Sequence, residues 1–126
     1  MYPDFLLFFE KHAEALPIYE KLEAEILARV PDVRIKVGKS QISFSCKRGF
    51  AYVSFNPCRK AADRPPVWLT VTFGLEYAKV SPRIDVATEP YPNRWTHHVM
   101  VGSPEEIDEE LMGWITEAAA FSATKR

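Results

Sequence analysis

At Val33 the spacing of the apolar residues changes. Before it, Phe5, Phe8 and Phe9 with His12, and then Ile18, Leu22, Ile26 and Leu27, recur every third or fourth position. After it they alternate: in VRIKV, Val33, Ile35 and Val37 stand against Arg34 and Lys36, and in QISFSC, Ile42, Phe44 and Cys46 stand against Gln41, Ser43 and Ser45. The first spacing marks one face of an α-helix and the second one face of a half-buried strand. The chain thus joins a helical start to a sheet-forming middle, and each must bury its apolar side on the other.

Prolines divide the helical part. An internal proline removes a helical hydrogen bond, so the spacing predicts two helices, about 3–14 and 17–29, with Pro17 in the first turn of the second. Pro31 forces Val30 out of the helical region and ends that helix. Gly38 to Ser40 and Lys47 to Gly49 are then hairpin connections. FAYVSF reads as a third strand, apolar on both faces. VWLTVTFG reads as a fourth, with Val67, Leu69, Val71 and Phe73 inward and Trp68, Thr70 and Thr72 outward. RIDVATE, with Ile84 and Val86 inward, and WTHHVMV complete about six strands. PCRKAADRPP, with three prolines and no period, is a surface loop.

SPEEIDEEL carries a helix start signal, with Ser103 as N-cap, Pro104 at the first helical position and Glu106 at the third. Ile107, Leu111, Trp114, Ile115 and Ala118 continue it as one apolar stripe. The predicted fold is α+β: a mainly antiparallel sheet of about six strands, with N-terminal helices and one C-terminal helix packed on one face. At 126 residues, a single domain spanning 1–126 is expected. The helices can cover one sheet face. The other would carry Lys36, Gln41, Ser43, Ser45, Tyr52, Ser54, Trp68, Thr70, Thr72 and His98.

A chain that is 47% hydrophobic and 26% charged can bury a core, which argues against disorder beyond a frayed tail at Ser122 to Arg126. No apolar run approaches the roughly 20 residues of a membrane span, and Phe5 to Phe9 is too short for a signal peptide, so a cytoplasmic protein is expected. Cys46 and Cys58 match neither a redox nor a zinc spacing and are expected as reduced structural thiols. There is no phosphate-binding glycine loop, G-x-S-x-G or H-E-x-x-H, and no cofactor or metal is expected. Charge is segregated along the chain. Residues 1–32 hold three Lys/Arg against seven Asp/Glu, residues 33–101 eleven against four, and residues 102–126 two against six. The basic middle between acidic ends allows a one-sided field.

Several blocks carry a family resemblance: KSQISF from Lys39, FAYVSF from Phe50, LTVTFGL from Leu69, SPRI from Ser81, EPYPNRWTHHV from Glu89 and SPEEIDEELMGWI from Ser103. Together with LPIYEKL from Leu16, the chain resembles the bacterial domain of unknown function family 5655 over nearly its whole length. The resemblance implies a small domain, found alone or attached to others, and brings no catalytic residues with it.

In YPNRWTHHV, Pro92 and Asn93 supply turn chemistry that leads into a strand. On that strand His97 shares a face with Trp95 and Val99, and His98 the opposite face with Thr96 and Met100, so the two imidazoles cannot chelate one metal or converge on one atom. The plain reading makes His97 a buried, hydrogen-bonded core residue and His98 a surface one. Lys36, Lys39, Gln41 and Arg94, with Tyr52 and Trp68, combine cations and aromatic rings as single-strand nucleic-acid binders do. Against this, lysines on edge strands also prevent sheet-to-sheet pairing. The candidate ligand-binding residues are therefore Lys36, Lys39, Gln41, Tyr52, Trp68, Arg94, Trp95, His97 and His98. The expected role is binding of an anionic ligand, nucleic acid or a partner, rather than catalysis. The alternatives are a small hydrolase or nuclease using His and Lys side chains, and a homodimer closing the open face on its own copy.

Overall fold

The computed structural model describes residues 3–124. Helix α1 spans Pro3–Phe8 and α2 Leu16–Arg29; strands β1 Arg34–Val37, β2 Gln41–Ser45, β3 Gly49–Ser54, β4 Leu69–Leu75, β5 Val86–Tyr91 and β6 Arg94–Val101 follow, and α3 spans Glu109–Thr124. The strands form one antiparallel sheet in the order β1-β2-β3-β4-β6-β5. This is the α+β architecture expected of the sequence.

The first helix is shorter than the predicted 3–14. It ends at Phe8, and after His12 the chain takes a 3₁₀ turn over Ala13–Ala15 before α2. Pro17 sits in the first turn of α2 and has no N–H to offer the carbonyl of Ala13, so one helix cannot run through. The break turns Phe9 back onto Tyr19 and Phe55, with ring centroids 5.3 and 5.7 Å apart. Ile18, Tyr19, Leu22 and Ile26 form the buried stripe of α2, and extended backbone at Val30 ends it.

Helix α3 lies on β3 and β4. Its stripe is that of the sequence: Leu111, Ile115 and Ala118 have no exposed surface, and the Trp114 ring stacks on Phe73 at 5.9 Å. Burying one such leucine or isoleucine contributes roughly 1.5–3 kcal/mol. The start of this helix differs from the expectation. Pro104–Glu106 is a 3₁₀ turn, Ser103 makes no side-chain cap, and Asp108 accepts the backbone N–H of Leu111 at 3.0 Å. Glu106 instead reaches back to the N–H of Gly102 at 2.9 Å. At the other end α3 runs on to Thr124 with Ser122 buried, so the predicted tail is helical that far; residues 125 and 126 lie outside the described residues.

The apparent two-faced apolarity of the third strand has a local cause. Phe44 pairs with Ala51 but Ser45 with Gly49, so Phe50 is an extra residue in a bulge, and Phe50 and Ala51 are both buried. Val86, expected inward with Ile84, pairs with His98 and shares its face. Ile84 closes a turn, its N–H on the Ser81 carbonyl, and lies before β5 begins at Val86, so strand alternation does not run through the two. Cys46 and Cys58 are both free. Among the described residues no helix is long and apolar enough to cross a membrane.

Candidate ligand face of the sheet

The register fixes two parallel rows across the sheet. On the helix side, Ile35, Phe44, Ala51, Phe73, His97 and Ala87 stand side by side. On the other side the row reads Lys36, Ser43, Tyr52, Thr72, His98 and Val86. At ~4.8 Å between strands, Lys36 and His98 are about 19 Å apart at their Cα atoms.

His97 belongs to the core. It has no exposed surface, its ring stacks on Phe73 at 5.0 Å, and its Nε2 accepts the backbone N–H of Lys79 at 2.9 Å. A ring nitrogen that accepts carries no proton, so His97 is the neutral tautomer protonated at Nδ1. Burial, with the neighbouring His98 and Lys79, holds its pKa below the ordinary value. His98, one residue on, lies half-buried on the open face with Nδ1 2.9 Å from the Thr72 hydroxyl. Burial lowers its pKa too. The open face therefore presents a neutral imidazole locked to a threonine, with no charge at that end of the row.

Tyr52 stands at the centre of the face, flanked by Ser43 on β2 and Thr72 on β4. Its side chain lies down along its own strand, so that its hydroxyl occupies the space a Cβ on Gly49 would need. Glycine is required there to let the ring approach the backbone. Tyr52 is half-buried there, with part of its surface open to solvent.

The remaining candidates are dispersed. Lys36 is exposed on edge strand β1, and Gln41 is exposed at the start of β2. Lys39 sits in the β1–β2 turn and lines a shallow groove of about 270 Å³ with Phe8, His12, Ser40, Phe55 and Asn56. Trp68 precedes β4 and meets Phe55 edge-on at 6.2 Å, which joins it to the ring cluster under α1. Trp95 pairs with Leu75 on the helix-side parity. Arg94 begins β6 opposite Tyr91, four strands and four residues from Lys36, so the two cations do not meet. Of the three aromatic candidates, Tyr52 alone supplies a ring at the centre of the open face. His12, stacked on Phe55 at 3.9 Å, was read from the sequence only as part of a helical stripe. No local pattern links residues 12 and 55, which only the fold brings together.

One end of the face is closed by the loop after β3. Arg59 Nε pairs with Asp85 at 2.8 Å and its Nη2 donates to the Met100 carbonyl, while Thr70 donates to the Asn56 carbonyl. Thr70 and Met100, on the outer side of the sheet, are thereby buried. The charge segregation of the sequence becomes one between layers: residues 33–62, which hold β1 to β3 and the start of this loop, contain seven Lys/Arg and no Asp or Glu. Arg34, Lys36, Lys39 and Lys47 have no ion pair among the described residues, whereas Arg29, Arg59, Lys79 and Arg83 are each paired with a carboxylate. No group of three or more His, Cys, Asp or Glu side chains is arranged as metal ligands among the described residues.

A family model described as Domain of unknown function (DUF5655) matches residues 7–122. No curated protein and no solved structure matches the chain.

Proposed function

We propose that this chain, which belongs to the DUF5655 family, is a binding module that takes an anionic ligand on the open face of its sheet, nucleic acid first among the chemistries that fit. The observation that carries this reading is the acid-free stretch 33–62, folded so that Arg34 and Lys36 stand on the edge strand of a face whose central row is uncharged and hydrogen-bonding. Acidic helices behind a basic sheet give the molecule a polarity that would steer an anion to this side. Catalysis by paired histidines gains no support, because His97 is walled into the core and His98 faces away from it.

The test is a fluorescence anisotropy titration with a labelled oligonucleotide at rising salt. Phosphate contacts release counterions, so affinity should fall linearly on logarithmic axes, and Arg34→Ala with Lys36→Ala should flatten the slope by about two contacts. No saturable binding at low salt, or an affinity that salt leaves untouched, would defeat the reading.

A further inference from the structure

We infer that the open face takes a single-stranded nucleic acid, with one base laid on the Tyr52 ring, its edge toward the Thr72–His98 pair and its phosphates toward Arg34 and Lys36. This rests on the reading of the face as an anion-binding surface and says which polyanion it selects.

The face is asymmetric in charge. Across the sheet the row through Tyr52 runs cation, hydroxyl, ring, hydroxyl, imidazole, with its one cation, Lys36, on β1 about two strand spacings, or ~10 Å, from Tyr52; Arg94, on the outward parity of β6, lies four residues along from His98. A single strand has the same asymmetry, with phosphates along one edge and bases along the other. A duplex has charge along both edges and its bases stacked inside, so on this surface it would set phosphates against uncharged groups that cannot neutralise them.

The centre is shaped for a planar group. The Tyr52 side chain reaches back to Gly49, its cross-strand partners are Ser43 and Thr72, and Ser45 stands opposite Gly49, so the side chains paired around it are short. Stacking on one aromatic face accepts any base, and such contacts recur in single-strand recognition. Beyond the ring, Thr72 fixes the imidazole of His98 through Nδ1, which leaves Nε2 to meet a base edge. His98 and Thr72 together offer both a donor and an acceptor there.

The experiment compares three labelled polyanions of equal length at one low salt concentration: an oligothymidylate, an abasic deoxyribose-phosphate oligomer and a blunt duplex. The single strand should bind on the order of tenfold tighter than either of the others. Tyr52→Ala should remove on the order of tenfold from the single strand and nothing from the abasic oligomer, while Tyr52→Phe keeps the affinity. The imidazole resonances of His98 should shift with oligothymidylate and stay in place with the abasic strand. Equal affinity for all three polyanions, or indifference to Tyr52→Ala, would overturn this inference and leave the anion-binding reading standing. Binding to none of them would end both.

Discussion

The backbone N–H of Lys79 donates to Nε2 of the buried His97 at 2.9 Å, which ties the segment after β4 to the core through a ring that must stay neutral. Protonation would turn that acceptor into a donor facing a donor. The pKa of His97 is lowered in the fold, chiefly by burial, from an ordinary 6.5. Below about pH 6.5 the unfolded chain therefore binds a proton that the folded chain refuses, and stability falls until the folded pKa is reached. Denaturant unfolding between pH 8 and pH 4 should show this loss, on the order of 1.4 kcal/mol for each unit of depression. His98, also depressed by burial, adds to the same slope. His97→Phe, which keeps the stack on Phe73, should remove its share of the slope while costing about 1–3 kcal/mol for the orphaned Lys79 N–H. A pH profile identical to that of the parent would show that His97 does not titrate this way.

Gly49 is where the pose of Tyr52 can be tested without touching the ring. A Cβ there would collide with the Tyr52 hydroxyl, the far end of a flexible side chain, so Gly49→Ala should lift the ring away rather than break the strand. The expected stability change is small, within about 1 kcal/mol. In a Tyr52→Ala background the same substitution should lose whatever effect it has on stability and on ligand binding, and a double-mutant cycle measures this. Additive effects would mean that the two residues do not meet.

The class of fold was legible because alternation and helical spacing act over a few residues, and a burial pattern such as that of Ile42 and Phe44 against Ser43 and Ser45 is a direct image of one sheet face. The opposite facing of His97 and His98 followed from the same rule. What stayed hidden depends on contacts distant in sequence. Trp68 sits beside Thr70 in the alternation, yet its ring meets Phe55 because the chain is not in a strand there. The bulge at Phe50 shifts β3 by one residue, and one residue reverses every facing after it, while Ile84 lies in a turn outside β5 and so does not share its alternation with Val86. Thr72 looked like any outward threonine until the pairing of β4 with β6 set it beside His98.

Asp85 is the anchor of the loop that closes one end of the sheet. It receives Arg59 at 2.8 Å and the backbone N–H of Met100 at 2.9 Å, and its side chain is only 13% exposed. Removing one partner of a largely buried pair leaves the other uncompensated. Asp85→Ala should cost about 2–3 kcal/mol, discounted for the partial exposure of Arg59, and should open residues 57–66 to protease. Urea unfolding and limited proteolysis check the two parts. Destabilisation without a new cleavage in that loop would show that Asp85 supports β6 alone.

The start of α3 separates two residues that both read as caps. The sequence favours Ser103, but in the structure the helix begins after Asp108, whose Oδ1 accepts the Leu111 N–H while the same carboxylate holds Arg83 at 2.8 and 3.0 Å. Loss of an N-cap costs about 1 kcal/mol, and loss of an exposed ion pair less than that. Asp108→Ala should therefore lower stability by roughly 1–2 kcal/mol. Asp108→Asn, which keeps an accepting oxygen but not the charge, should lose only a few tenths. Ser103→Ala should be nearly silent, since its hydroxyl makes only a 3.4 Å contact with Glu106. The order of the three thermal midpoints decides the matter: if Ser103→Ala proves as costly as Asp108→Ala, the 3₁₀ turn and the helix are capped together as one unit.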